Sequence, residues 1–423
     1  MMNTYTFEPS DLLFIRDARP IDTVGGHGAR WPDAPLIFDA IHAALHRAFS
    51  GVQEWEHEHR TGVSSTRDYS EANRRNQRFG GLTTAGIFPV ENGKWFFPRP
   101  ADWREESEDE DATCGALRPS PVVGRSNLPA PLTHSLANAC KASKHEPKPW
   151  WSREAFASYI AGNKPANSET RSLSDLCDGE WQTGIGIDAE RQTQDGERIY
   201  SAEYLRLRNG VSAGFLASLP TKQKDKSRLD CIDKLFTGDS SILIGGQLRA
   251  CTVRNHHTSA TGLLPTGPAI TGTRVKWILL TPAIFPAAGG DPGGWLPNWI
   301  NPADGKVELL DGPGKNKAKR ANQPEGKPIF AKLVAACVPR SVPLSGWSER
   351  LDAAKDAGSQ GNCGPRATQL AVPAGSVYYF EADSPEDANK LASVLNWHTS
   401  PNFNRRSTLL GEKGLGLGLC APW

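Results

Sequence analysis

Residues 181–208, WQTGIGIDAERQTQDGERIYSAEYLRLR, carry the clearest local order in this 423-residue chain. They read as strand, polar loop, strand. In the first arm Ile185 and Ile187 share one face, while Gly184 and Gly186 leave the other bare and open to close approach. The loop 189–198 is polar throughout. In the return arm, period-two alternation puts Ile199, Leu205 and Leu207 on one face and Tyr200, Tyr204, Arg206 and Arg208 on the other. Two aromatics for stacking and two guanidiniums for phosphates, on a sheet surface, are what a single-stranded RNA platform requires. Taken alone, the stretch favours the plainer reading of this face as an ordinary half-buried, solvated strand surface.

Composition narrows the class. Lys and Arg total 48 against 47 Asp and Glu, a formal net charge of +1. A free-standing, sequence-indifferent nucleic-acid binder is usually more basic, so any nucleic acid here is held by local patches or within an assembly. The length suits two or three domains, and 41 Gly with 32 Pro point to many turns and short strands. The eight cysteines form no CxxC pair, which argues against a zinc site or a disulfide framework and for reduced, cytoplasmic thiols. Glu8, Asp11 and Asp17 stand where a signal peptide would be apolar, and the run 275–288 is broken by Pro282 and Pro286. The expectation is a soluble protein with no membrane contact.

Taken in order, the apolar run Leu12 to Ile15 suggests a buried central strand, with Arg16 and Arg19 at its exit. Asp33 and Pro35 open a helix whose stripe is Leu36, Ile37, Ala40, Ile41, Ala44, Leu45, Ala48 and Phe49. His42 and His46 stand at i,i+4 on its polar side, a spacing that could hold a metal, but no third ligand is near and a solvated face fits better. Residues 59–81 form an arginine-rich loop. Strands at 85–90 and 94–97 flank the turn dipeptide Asn92-Gly93. The acidic, then Pro-, Ser- and Asn-rich stretch 103–149 reads as a disordered insertion. Ser152 caps a helix over 153–161, and a strand at 183–188 closes a βαββαβ order. The second half offers strands at 241–244, 249–254, 274–280, 330–338, 369–372 and 376–381. Ser384-Pro385 then starts a helix with Ala388, Leu391, Val394 and Leu395 inward. Lysines 315, 317 and 319 with Arg320 mark an exposed basic loop, solubilising or functional. The closing GEKGLGLGL, 411–419, either cradles a phosphate with backbone amides or packs as a glycine-rich final strand. It matches neither GxGxxG nor a P-loop.

Eight blocks together resemble a known family: EPSDLLFIRDARP (8–20), FPVENGKWFFPRPADW (88–103), TGIGIDAERQTQDGERIYSAEYLRL (183–207), ILIGGQLR (242–249), WILLTPAIF (277–285), PRSVPLSGW (339–347), ATQLAVPAGSVYYFE (367–381) and GLGLGL (414–419). In this order they look like subunit three of the Cmr effector, the type III-B CRISPR ribonucleoprotein, within the RAMP superfamily. The resemblance covers nearly the whole chain; the insertion at 103–149 and the lysine-rich loop near 315 depart from it. It implies an α+β fold of two ferredoxin-like, RRM-like βαββαβ domains with long loop insertions, here 1–220 and 240–423. It further implies no catalysis and no cofactor, and binding of the CRISPR RNA 5′ handle. The protein partners would be the large cyclase-polymerase-like subunit and the backbone RAMP subunits, with target RNA met only indirectly. Arg16, Arg19, Gly245, Gly246, Arg249, Gly414, Gly416 and Gly418 are the candidate handle contacts, beside Tyr200, Tyr204 and Arg206 on the hairpin. Related RAMP proteins process CRISPR RNA with a histidine acid/base, so a metal-independent endoribonuclease using His46 or His42 is the rival. No carboxylate or lysine is visibly placed to set either histidine. In RAMP backbone proteins a hairpin thumb presses into the guide–target duplex, and loop 189–198 could serve as one.

Overall fold

The computed structural model describes residues 2–15, 25–26, 31–49, 79, 81–109, 111, 113–141, 143–187, 190, 194–219, 231–238, 240–286, 294–348, 364–365, 368–400 and 403–423. It is a mixed α/β protein of mostly antiparallel sheets and few helices. The chain forms two compact units, each drawn from three stretches: 1–93, 173–260 and 343–369 in the first, 94–172, 261–342 and 370–423 in the second. This division differs from the contiguous boundaries 1–220 and 240–423 expected from the sequence. Pairing between distant strands decides the division, and local patterns do not report that pairing.

In the first unit, the strands Asn3–Pro9, Thr83–Glu91, Val211–Ser218 and Arg249–Ser259 pair antiparallel, with Asn3–Pro9 between Val211–Ser218 and Arg249–Ser259. Numbered along the chain, their spatial order is 2-3-1-4, and Ser240–Ile244 adds an edge strand beside the fourth. The first strand lies at Asn3–Pro9, not at the expected Leu12 to Ile15. Leu12 and Leu13 are buried as anticipated, but Leu13 makes only an isolated bridge to Leu205. The helix Ala34–Ala48 forms where its stripe predicts and buries Ile37, Ile41, Ala44 and Leu45. Tyr5 stacks on Phe215 at 5.3 Å. Asp233, in the short helix Cys231–Leu235, accepts from Tyr5 Oη at 2.7 Å, Asn3 Nδ2 at 2.8 Å and Asn255 Nδ2 at 3.0 Å, tying that helix to the first and fourth strands.

In the second unit, Arg274–Leu279, Ala331–Cys337, Val377–Ala382 and Gly418–Pro422 repeat the 2-3-1-4 order, again antiparallel. The helix Pro385–Leu395 lies between the third and fourth strands in sequence. It is capped by Ser384, which accepts from the Asp387 amide, and buries Ala388, Leu391, Ala392 and Leu395 over Trp277, Trp299, Tyr378 and Phe380. The helix Arg153–Ile160 also forms as its Ser152 cap foretells, but it belongs to this unit, so the expected βαββαβ sequence of the first half does not stand.

The insertion 103–149 is also corrected: its described residues fold into two hairpins, Trp103–Glu105 with Cys114–Ala116 and Arg118–Pro121 with His134–Ala137. A few anchors outweigh the polar composition. Trp103 packs edge-on to Trp151 at 5.7 Å and Tyr159 at 6.0 Å, Leu132 lies against the unit's core, and the Thr133 amide bonds Val334 O. Asp102, just before the insertion, is fully buried. Its carboxylate accepts from Tyr159 Oη at 2.7 and 2.8 Å and from Tyr379 Oη at 2.7 Å, with Lys276 Nζ 3.7 Å away. No described helix is long and apolar enough to cross a membrane.

Candidate nucleic-acid interface

The sequence-predicted residues that come together do so in the first unit, around Phe14. Leu13 and Leu205 exchange backbone hydrogen bonds of 2.9 and 2.8 Å, which brings the chain after Leu12 alongside the Gln194–Leu207 strand. The Gly246 amide donates to Phe14 O at 2.8 Å. Gly245 has φ 71°, and a Cβ there would stand 2.5 Å from the same carbonyl oxygen, so this turn needs glycine for conformation and for closeness. Gln247 and Leu248 continue with φ of 57° and 49°, a left-handed backbone that non-glycine residues adopt at a cost. Gln247 Oε1 accepts from Tyr204 Oη at 3.1 Å and from Arg249 Nη2 at 2.6 Å. The Arg249 guanidinium lies 5.0 Å over the Tyr204 ring, which packs on Phe14 at 5.1 Å. Tyr204, Gly245, Gly246 and Arg249 therefore form one knot beneath an exposed turn, at the point where the chain leaves Ile15 towards Arg16 and Arg19. Those two arginines lie outside the described residues.

The RNA platform read from the hairpin is not what the residues build. The Cys177–Ile187 and Gln194–Leu207 strands do pair antiparallel, with Ile185 opposite Ile199 and Glu180 opposite Tyr204. Tyr204, however, is 3 % exposed, packed with Leu12, Ala202 and Phe14, so it offers no open ring for a base. Arg206 is held by Glu180 at 2.9 Å and Asp11 at 3.0 Å, and Arg208 by Asp178 at 2.9 Å. Both guanidiniums sit above their ordinary pKa, chiefly through those hydrogen bonds to carboxylates, and the carboxylates of Asp178 and Glu180 sit below theirs. A phosphate would have to displace these partners. Residues 189 and 191–193 of the loop, with the side chains of 194–198 and of Tyr200, lie outside the described residues.

The terminal glycines are likewise structural. The Gly416 amide donates to Pro282 O at 2.8 Å, Gly414 to Gly411 O at 3.1 Å and Leu417 to Thr281 Oγ1 at 3.0 Å. A Cβ on Gly416 would run into the backbone of Arg406 and Ser407, and one on Gly418 into the Trp277 indole. The Gly414 and Gly416 amides are committed inside the protein and Gly418 is buried against Trp277, so close packing accounts for the glycines here and the phosphate-cradle reading gains no support. His46 packs edge-on to buried Phe79 at 5.1 Å and to His42 at 4.7 Å, and the described residues hold no cluster of three metal-ligating groups. Phe14 and Gln247 are the residues that sequence reading did not single out. Gln247 stands within the ILIGGQLR block, but only the fold shows that its amide links Tyr204 to Arg249.

Two units of the same antiparallel 2-3-1-4 order, with a glycine turn before the fourth strand of each, define an α/β protein built from one repeated topology. A family model described as CRISPR-associated protein (Cas_Cmr3) matches residues 5–422, and the chain belongs to that family. Among solved structures it is similar to a chain of the Type III-B Cmr-beta complex bound to cognate target RNA and AMPPnP, at 12 % identity over 90 % of this chain and 86 % of that one, with TM-score 0.40. It is also similar to a chain of the Csm3–Csm4 subcomplex of the type III-A CRISPR-Cas interference complex, at 10 % identity over 90 % and 93 %, with TM-score 0.37. No curated protein matches.

Proposed function

We propose that this protein is a non-catalytic, RNA-binding scaffold of a type III-B CRISPR effector, holding the 5′ handle of the CRISPR RNA in the cytoplasm. The large subunit and the RAMP backbone subunits are its protein neighbours in this reading. Membership of the Cas_Cmr3 family supports the assignment to the effector. The repeated 2-3-1-4 order, with the helices Cys231–Leu235 and Pro385–Leu395 between third and fourth strands, supports reading both units as ferredoxin-like.

The observation that carries the handle site is the Gly246–Phe14 hydrogen bond. It pins the exposed turn of residues 245–248, left-handed at Gln247 and Leu248, to Phe14, which precedes Arg16 and Arg19 in the sequence. The turn amides other than that of Gly246, which donates to Phe14 O, together with the Arg249 guanidinium suit a phosphate at an RNA end and give position without a large basic surface. A near-neutral chain can work this way because its remaining surface serves protein partners. The Arg16→Ala/Arg19→Ala double variant should weaken binding of handle-bearing RNA and flatten the dependence of log K on log salt by about one unit for each phosphate no longer neutralised. Unchanged affinity and slope would remove this site. Repeat RNA should stay intact with magnesium or with EDTA, and cleavage in EDTA that His46→Ala abolishes would transfer the assignment to the ribonuclease.

A further inference from the structure

We infer that the Cys177–Ile187 strand receives an extended aliphatic segment of another protein subunit, added along its outer edge and over its apolar face. The inference rests on the effector-subunit reading above and adds to it the place and chemistry of one protein contact.

The register fixes the face. Trp181, Thr183, Ile185 and Ile187 alternate on one side of the strand, joined across the ladder by Ile199 opposite Ile185. Nearer the base the same face is core, with Cys177 and Leu205 buried. Further out it turns to solvent: Trp181 is 55 %, Ile185 49 %, Ile187 66 % and Ile199 56 % exposed. Beyond the polar Thr183–Ser201 pair, which separates them from Trp181, the aliphatic side chains of Ile185, Ile187 and Ile199 group at the outer end of this face, and such an exposed group marks an interaction surface.

The edge gives the shape of the partner. In its three-stranded sheet Cys177–Ile187 lies outermost, with Gln194–Leu207 between it and Gly25–Gly26. Among the described residues it therefore pairs on one side only. Edge strands are ordinarily blunted by lysine, proline or a covering element, and residues 177–187, CDGEWQTGIGI, contain neither residue. A row of outward backbone donors and acceptors fits an extended peptide, and the aliphatic face beside it fits alternate side chains of that peptide. Gly184 and Gly186 leave the opposite face bare.

Charge excludes the other class of partner. Residues 177–207 contain seven carboxylates, at 178, 180, 188, 190, 195, 197 and 203, against three arginines, at 191, 198 and 206, and no lysine. Arg206 is already engaged by Glu180 and Asp11. An arm with four net negative charges (three minus seven) repels a polyanion and tolerates an aliphatic or basic polypeptide.

The test uses the complex reconstituted from purified subunits and guide RNA, with Ile185 replaced by p-benzoylphenylalanine. Irradiation should join position 185 to a peptide of a different protein subunit. Amides of residues 179–187 should exchange at least about tenfold more slowly in the complex than in the free chain, as new ladder bonds require. The Ile185→Arg/Ile187→Arg variant, altered only at exposed positions, should keep its far-ultraviolet circular dichroism and lose about tenfold or more in assembly affinity. An adduct on RNA, an adduct on a second copy of this chain, no adduct, or unslowed exchange would overturn the inference while leaving the effector-subunit reading intact. Failure of the unsubstituted chain to enter the complex would overturn both.

Discussion

Replacing Asp102 by alanine should be among the most damaging single changes in the second unit, and the structure says by how much. The carboxylate has no exposure and is the shared acceptor of Tyr159 and Tyr379, whose hydroxyls approach to 2.7 Å. Lys276 completes the group: its Nζ donates to Tyr159 Oη at 2.8 Å, lies 4.0 Å over that ring and 3.7 Å from Asp102. Tyr379 alone has a second acceptor, Leu117 O at 3.2 Å. Asp102→Ala therefore strands a buried ammonium and a tyrosine hydroxyl. Breaking a buried ion pair from one side costs about 3–5 kcal/mol. Lys276→Met removes the cation but leaves the carboxylate two hydroxyl donors, so its cost should be smaller, about 1–3 kcal/mol. The combined Asp102→Leu/Lys276→Met change should cost less than the sum of the single changes, because neither charge is then left without its partner. Urea unfolding followed by tryptophan fluorescence reads this unit directly, through Trp103, Trp151 and Trp277. An Asp102→Ala loss under about 1 kcal/mol, or a Lys276→Met loss larger than that of Asp102→Ala, would refute this account of the network.

Two further predictions concern the same unit. Gly416→Ala should destabilise by about 2 kcal/mol or more, since φ is 80° and the added methyl meets the Arg406–Ser407 backbone, yet the folded fraction should bind handle RNA as the wild type does; selective loss of RNA binding would restore the phosphate-cradle reading. In alkali, burial holds Tyr159, Tyr378 and Tyr379 above their ordinary value of 10.0, with the Asp102 carboxylate adding to the shift of Tyr159 and Tyr379. The folded state keeps these protons when the unfolded chain loses them, so their stabilisation is complete below pH 10 and is lost as pH rises above it. Lys276, lowered from 10.5 by burial, acts in the opposite sense but is one group against three. Tyrosinate absorbance at 295 nm should show these three of the seven tyrosines titrating only with unfolding; smooth titration of all seven near pH 10 in a folded protein would contradict this.

Where the sequence carries a local stereochemical demand, it reads true. Asn92-Gly93 takes the paired left-handed conformations of a tight hairpin turn, at φ 49° and 82°. Ser152 and Ser384 accept the amides three residues on, and the stripe from Ile37 to Leu45 is buried. Composition and alternation mislead where burial depends on distant partners. The Pro- and Ser-rich stretch after Trp103 is ordered because Trp151, Tyr159 and Val334 receive it. Tyr204 falls on the face that periodicity assigns, but Phe14, 190 residues earlier, covers it. The Val211–Ser218 strand, central to the first sheet, passes unnoticed because VSAGFLAS, buried on both faces, lacks alternation. No local pattern distinguishes Asp102 from a surface acid; only the fold brings Tyr159, Lys276 and Tyr379 around it.

The central claim is that the RNA 5′ handle lies against the turn at residues 245–249 and the segment leaving Phe14. It is tested most directly by placing 4-thiouridine at successive handle positions in the reconstituted effector, irradiating, and mapping the cross-linked peptides by mass spectrometry. The account predicts adducts within residues 13–19 and 245–249 for at least one handle position, and none within 411–419, where residues 413–419 are buried and the Gly414 and Gly416 amides are committed inside the protein. Adducts confined to 411–419 or to the hairpin at 177–207, with none near Phe14 or Gly245, would contradict it.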